Sequence, residues 1–529
     1  MIGHEFSLGL LARVTERSLD DLLPALRSLI EQRVVVRGSA SPDGYGFKHA
    51  LIRDVAYRSL LRMDRRQIHR AVANELARHH PAETMTASDD LIARHYARGG
   101  EPREAIRFWR RAAGQAIARS ANEEAIAILQ LALDELAKLR EPEQPAVELD
   151  LALSQAMALR SVRGYSAPEV EQRLERAHAL CQVTGDLDDR FSAEWGLFQC
   201  TFVKGDIDAA RSFAAGLLSH AGQSAGPRLI DAHLANGMVA FNAGEFAAAV
   251  GFHEAGAKLS QPETDQPRFL THGQNAGLFC LSYLARTQCV MGDVDRGRAT
   301  IQRARTIAAL RSKDPGHIHS SLNVALHTVR VYHLCGDLSA ERQLANEIVE
   351  TARQNHYAYY QAQGRCHLGW VAGAEGDLDA GIALLNEGIT ALKKTGTSLA
   401  LPGFYVLLAQ LYVRAGRREE AAALLGLASG PKGFALWDAD IERVRGDVLA
   451  DSASAEAAYR ASLALARKQG AGLLACKAAL ALAQRLQARG LRHEAHDLLA
   501  ECLEPLSEGG DVASIRNARS MMLELAGAV

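Results

Sequence analysis

One string in this 529-residue chain has the outline of a catalytic motif. Gly222-Gln223-Ser224-Ala225-Gly226 satisfies GxSxG, the nucleophile elbow that presents a serine on a sharp strand-to-helix turn. The elbow needs a strand before the serine, and residues 209–221 read as a helix instead, so a small-residue loop between helices is expected. His493 and His496 stand three apart with Cys502 beyond them, and His317 and His319 flank Ile318. Neither set offers three spaced ligands with a carboxylate partner, so hydrogen-bonded or solvent-facing histidines are expected rather than a metal site. No HExxH, CxxC, GxGxxG or GxxxxGK[ST] string occurs. The sequence therefore assigns no catalytic, cofactor-binding or metal-binding residue.

Chemistry of another kind needs a surface, and composition indicates how that surface is built. The chain is 48% hydrophobic but only 6% aromatic, with 44 Gly against 14 Pro. That profile favours many close contacts between small-residue helices over a few aromatic-rich cores. A mean hydropathy of -0.09 with 23% charged residues excludes both a membrane bundle and a disordered tail. The eight cysteines never approach CxxC spacing and read as small hydrophobes in a reducing, cytoplasmic setting. The first eighteen residues lack the basic-then-apolar order of a signal peptide, so none is expected. Thr395 to Val413 carries Asp, Glu or Lys nowhere, yet Pro402, Gly403 and Gln410 interrupt it, so a buried helix is expected.

A recurring phrase organises most of the chain: a glycine, often Gly-Asp, then four residues, then a small residue opening an apolar run. It starts at Gly205, Gly244, Gly292, Gly336, Gly376, Gly416 and Gly490, with a glycine-less copy at Ser452, at intervals of 36 to 48 residues. A tetratricopeptide unit is ~34 residues long and places small residues where its two antiparallel helices cross. Gly369, Gly381 and Gly388 occupy those positions around one turn, and Ala409, Ala421 and Ala428 around the next. Around Gly490 they are Ala483, Ala495 and Cys502. The position five after the turn is Ala or Gly in every copy except one, which has Glu341. Leu378, Ile382, Leu385, Ile389 and Leu392 make one apolar stripe at helical spacing. Two more helix pairs precede these copies. EPEQPAVE at 141–148, GPRLIDAH after Gly226 and SQPETDQPRF at 260–269 read as connectors.

The first eighty residues differ. Phe6 to Val14 reads as a short helix, and Ser18 caps a second helix reaching about Gln32. VVVRG and YGFKH then form a two-stranded hairpin around Asp43-Gly44, followed by two further helices. Helix, helix, hairpin is the order of a winged helix. Residues 1–80 hold 13 Lys/Arg against 9 Asp/Glu, a net of +4, and the remainder holds 47 against 53. Asp20 and Asp21 open the would-be recognition helix, where phosphates would meet like charge, so DNA contact is not expected.

IGHEFSLGLLARVTERSLDDLLPALRSLIEQRVVV and YGFKHALIRDVAYRSLLRMDRRQIHRAVANEL resemble the winged-helix segment of bacterial signal-transduction ATPases of the STAND type. RGYSAPEVEQRLERAHALCQVTGD and GLFCLSYLARTQCVMGDVDRGRA resemble the helical-repeat half of the subgroup that begins with a class III adenylate or guanylate cyclase. The resemblance implies the order effector, ATPase, winged helix, tetratricopeptide sensor, of which the last two parts are recognisable. Neither a phosphate loop nor a cyclase domain is recognisable, so ATPase and cyclase activity are not carried over. A stand-alone partner subunit and a piece of a longer reading frame are both compatible with the start at IGHEF.

The expected architecture is mainly all-α: a small winged helix over 1–80, a helical linker over 81–140, and a tetratricopeptide-like right-handed α-solenoid over 141–529. In such a superhelix the first helix of each pair lines the concave groove. Register places Trp195, Phe202, Phe241, Asn242, Arg286, Arg330, His333, Trp370, Gln410 and Arg414 there. Aromatic anchors with arginines are the residue types that dominate interface energetics. The expected role is a non-enzymatic scaffold or sensor, without cofactor or membrane contact, that binds a protein, peptide or effector in the groove. An ATPase or cyclase domain in trans is a further partner the resemblance allows. A DNA-binding regulator and a fragment of a longer cyclase-ATPase are the alternatives.

Overall fold

A computed structural model describes residues 5–38, 44–78, 86–119, 121–139, 144–184, 187–222, 226–260, 275–310, 317–430 and 433–526. The chain divides into two compact units, one comprising 1–163 with 168–193 and the other comprising 164–167 with 194–529.

The first unit opens on a strand, β1 (Glu5–Ser7), then α1 (Leu8–Thr15) and α2 (Leu19–Glu31). Strands β2 (Val35–Arg37) and β3 (Gly44–Phe47) follow. The sheet has three strands in the order β1-β3-β2, all antiparallel. The expected helix from Phe6 and the expected two-stranded hairpin are both corrected here. Phe6 lies extended because its ring stacks on Tyr45 at 6.1 Å, a contact across strands that local helix periodicity does not register. Ser7 then caps α1 by accepting from Leu10 N–H. Ser18 caps α2 as expected, accepting from Asp21 N–H. The Asp43 turn lies outside the described residues.

Helices α3 (Ala50–Ser59), α4 (Arg62–Arg78), α5 (Thr86–Gly99), α6 (Pro102–Ala118), α7 (Asn122–Leu136), α8 (Gln144–Arg163) and α9 (Pro168–Thr184) complete this unit with the start of α10 (Leu187–Lys204). From α4 to α9 each helix packs against the next. The connector expected at 141–148 is shorter than its two prolines suggested. The helix begins at Gln144 because Pro145 falls in its first turn, where the missing N–H costs nothing.

A buried histidine pair joins α4 to α5. His69 Nδ1 lies 3.0 Å from His95 Nδ1, and Tyr57 Oη lies 3.0 Å from His69 Nε2. One proton between the two Nδ1 atoms links the rings, and the contact is lost when both rings are protonated. Burial, with the Arg98 charge adding to it, pulls both values down to about 4. The unfolded chain therefore takes up protons below pH 6.5 that the folded unit refuses until about pH 4. This contribution to stability is complete above pH 6.5 and is lost as pH falls through that window. The thermal midpoint is expected to fall between pH 7 and pH 4.5, and less steeply in His95→Phe. A midpoint as steep in His95→Phe as in the wild type would contradict the neutral pair.

The second unit continues from α10 with α11 (Ile207–His220), α12 (Pro227–Asn242), α13 (Phe246–Leu259), α14 (Ala276–Met291) and α15 (Val294–Leu310). Next come α16 (His317–Cys335), α17 (Leu338–Gln354), α18 (Ala358–Ala374), α19 (Leu378–Lys394), α20 (Leu401–Arg414) and α21 (Arg418–Ala428). The last are α22 (Asp438–Val448), α23 (Ser452–Gln469), α24 (Gly472–Ala488), α25 (Arg492–Leu503) and α26 (Ala513–Ala526). They stack as successive pairs, each packed on its neighbours, which is a solenoid of tetratricopeptide type.

The repeated phrase has a local cause. Gly205, Gly336 and Gly376 end the first helix of a pair with φ of 82°, 76° and 117°, left-handed values open to glycine. The following Asp206, Asp337 and Asp377 cap the second helix by accepting from the N–H three residues on. Gly-Asp is thus a stop signal followed by a start signal. GPRLIDAH is corrected from a loop to the first turns of α12, because Gly-Pro here is an N-cap with proline in the first turn. The 261–269 connector lies outside the described residues.

This solenoid folds back on itself. Helix α14 packs against α24. The N–H groups of Ala435 and Leu436 both donate to Asn242 O, at 3.0 and 3.1 Å. Glu508 accepts from the N–H groups of Asp295 and Arg296 at the start of α15, where the helix dipole favours an anion. Arg298 pairs with Asp511 at 2.8 Å.

Candidate functional site

The first helices of the pairs, α12, α14, α16, α18, α20, α22 and α24, surround one cavity of about 410 Å³ inside the second unit. A pocket of ~300–1,000 Å³ suits a small ligand. Asn242, Arg286, Arg330, His333, Trp370 and Gln410 all line it. Trp195, Phe202 and Phe241 do not; they are fully buried packing residues. Arg414 lies outside the cavity, exposed, with its guanidinium donating to Ala374 O at 3.4 Å. Those four depart from the expected row because helical register alone does not separate the inner face from the face turned to the partner helix.

Arg286 is buried, 7% exposed, with its guanidinium carbon 4.7 Å from the Phe241 ring centroid and 5.7 Å from that of Trp437. Trp437 reaches this position because Gly403 of α20 carries no side chain; a Cβ there would lie 2.4 Å from the indole. Arg330, one helix along on α16, donates to Gln363 Oε1 at 2.5 Å. Among the described residues neither arginine has a carboxylate partner. Burial depresses the Arg286 guanidinium well below its ordinary value, and the neighbouring Arg330 charge adds to this. Burial, with Tyr359 adding to it and both arginines opposing, raises the Tyr283 phenol to about 12. Tyr283 and Tyr359 line the same cavity.

The acids that line the cavity are already occupied. Arg443 bonds Asp440 and Asp447, each at 3.2 Å, and Tyr459 Oη donates to Asp447 at 2.6 Å. Lys477 faces this group, and burial lowers its ammonium while Asp440 opposes the shift.

Glu341 forms a second cluster beside the cavity. Its Oε1 accepts from His367 Nδ1 at 2.7 Å and faces His333 Nδ1 at 3.3 Å. Burial alone would raise this carboxyl; His333 and His367 outweigh burial and hold it at about 2. These three are the group among the described residues whose ligand atoms, all within 4.8 Å, could close on a divalent ion. The 2.7 Å contact is that of the His367 N–H on a carboxylate, and an ion would have to displace that proton.

Around the GxSxG string, a helix precedes and a helix follows, α11 and α12, and residues 223–225 lie outside the described residues. His493 is exposed, and His496 lies 3.2 Å from Asp497. The His319 ring packs among Phe279, Tyr357 and Tyr360, and the His317 side chain lies outside the described residues. All eight cysteines are buried. Among the described residues no helix is long and apolar enough to cross a membrane.

The residues that the sequence did not assign to the site are Tyr283, Tyr359, Trp437, Lys477 and Glu341. Glu341 had a signal: it breaks the small-residue rule of the repeat and is fully buried. Tyr283 had a weaker one, three residues before Arg286 on the same helix face.

No family model matches the sequence. An uncharacterized protein of Rhizobium meliloti (strain 1021) is 23% identical over 449 residues. The match covers 82% of this chain and 43% of that relative, so the chain spans less than half of the relative's length. Among solved structures, the Cut9-Hcn1 hetero-tetramer of the APC/C gives a TM-score of 0.47 at 12% identity, covering 89% of this chain and 98% of the other. A Rap protein complexed with competence and sporulation factor gives 0.41 at 15%, covering 72% and 99%. A STAND protein with a tetratricopeptide-repeat sensor from Pyrococcus horikoshii gives 0.35 at 12%, covering 79% and 63%. At these scores the fold rests on the helix pairs described above.

Proposed function

We propose that the chain is a non-enzymatic sensor scaffold, the regulatory half of a STAND-type signalling system. In this reading residues 1–80 form the winged-helix module, 81–140 a helical linker and 141–529 the sensing repeats. The ligand, a peptide or small effector, occupies the cavity walled by the first helices of the pairs. An ATPase or cyclase domain, in trans or on the same polypeptide, is what the ligand-dependent solenoid would restrain. The observation that carries this reading is the cavity itself: every pair from α12 to α24 contributes its first helix to one space lined with arginines and aromatic rings.

A ligand that binds only the folded chain stabilises it, by about 2.7 kcal/mol at one hundred times its Kd. A thermal-shift screen of metabolites and short peptides on the full chain is expected to find one that raises the midpoint. Arg330→Glu should abolish that rise, and Arg414→Glu should leave it intact. Loss in Arg414→Glu with retention in Arg330→Glu would move the site out of the cavity and reject the reading.

A further inference from the structure

The cavity also carries information about what it takes, and this inference rests on the sensor reading above. An arginine with 7% exposure and no acceptor is unusual, because a guanidinium has five N–H donors and a buried charge is normally paired. Arg286 has two aromatic faces and no acceptor among the described residues. Arg330 has a single amide oxygen. The two cations lie close enough to disfavour one another, and two phenols, Tyr283 and Tyr359, share their field. A chain that needed these groups only for packing would set a carboxylate between them, as it does around Arg443 with Asp440 and Asp447. Two buried histidines nearby add no positive charge: burial, then Arg330 and Arg286, hold His327 well below its ordinary value, and burial holds His253 down at about 3.

We propose that Arg286 and Arg330, with Tyr283 and Tyr359, form the head-group site for a small organic dianion whose planar body lies along Trp437. Two forks of N–H donors suit a phosphate monoester or a pair of carboxylates, which accept bidentate bonds. A dianion would supply the charge that the two guanidiniums lack and remove their mutual repulsion. The apolar wall, Trp437 with Phe404 and Leu407, suits a planar apolar body. At about 410 Å³ the space excludes a folded partner.

The test is titration calorimetry on the full chain at low salt with 1-naphthyl phosphate, naphthalene-2,3-dicarboxylate and neutral 1-naphthol. Both dianions, or one of them, should bind at one per chain and at least tenfold tighter than naphthol; which one binds separates phosphate from dicarboxylate. Arg286→Met and Arg330→Met should each weaken that binding at least tenfold, and exposed Arg414→Met should leave it unchanged. Without probe, neither cavity variant should melt below the wild-type midpoint: Arg286→Met removes a buried charge with no acceptor among the described residues, and Arg330→Met a half-buried one held by a single amide oxygen. A fall of several degrees would instead make the arginines structural and overturn the proposal. Equal binding of naphthol and the dianions would overturn the anionic class while leaving the cavity a ligand site. No binding and no thermal shift with any of the three would overturn both this proposal and the sensor reading.

Discussion

Gly381→Ala is expected to destabilise the second unit by at least ~3 kcal/mol, the upper part of the range for overpacked cores, although alanine is the better helix former. A Cβ at Gly381 would lie 2.6 Å from Gly373 N and 2.7 Å from Gly373 Cα. Opposite it, a Cβ at Gly369 would lie 2.6 Å from Leu385 N. These neighbours are backbone, so no rotamer change relieves the overlap and helices α18 and α19 must separate. Separation exposes Ile382, Leu385 and Ile389, which this close approach buries. Gly426 of α21 is the control, since a Cβ there meets nothing within 4 Å. Gly426→Ala should stabilise by up to about 1 kcal/mol through helix propensity alone. Chemical denaturation of the two variants measures both signs. Equal and small effects would show that the helix crossing is looser than described.

Glu341→Ala restores the residue type that the repeat uses at this position, yet it is expected to cost about 3 kcal/mol, the scale of breaking a buried pair from one side. The carboxylate is wholly buried and is the acceptor for His367, with His333 beside it. Removing it leaves the buried His367 N–H without its acceptor and takes the anion away from His333. The pH dependence gives a second signature. Glu341 is held at about 2 when folded, below an unfolded carboxyl near 4.3. Its stabilising contribution is therefore complete above pH ~4.3 and is lost as pH falls toward 2. The difference in stability between wild type and Glu341→Ala should be constant near neutral pH and shrink on acidification. A constant difference down to pH 2 would place the effect in packing and not in charge.

The solenoid was legible because its determinants are local. A left-handed glycine, a capping aspartate and small residues at fixed offsets each act within one helix pair, so the sequence displays them at repeat spacing. β1 was hidden because its pairing partner, Gly44–Phe47, lies far along the chain and three residues show no period. The same distinction divides the site. Arg286, Arg330, His333, Trp370 and Gln410 followed from register along first helices. Trp195 and Phe202 share that register but lie on α10, which does not reach the cavity, and Phe241 is buried beside Asn242 under the Arg286 guanidinium. Trp437 and Lys477 reach the cavity only because the solenoid folds back, bringing α22 and α24 to α14, and no repeat period encodes that closure. Glu341 shows the reverse case: a single departure from a local rule marked a buried cluster.

The central claim is that the inner helices form a binding site built around two arginines that have no carboxylate partner among the described residues. A crystal structure of the full chain grown with 1-naphthyl phosphate tests it most directly. The account predicts the phosphate between the Arg286 and Arg330 guanidiniums, with the naphthyl ring along Trp437. A probe seated only on the outer surface, or Arg286 and Arg330 closed onto carboxylates of the chain itself, would contradict it.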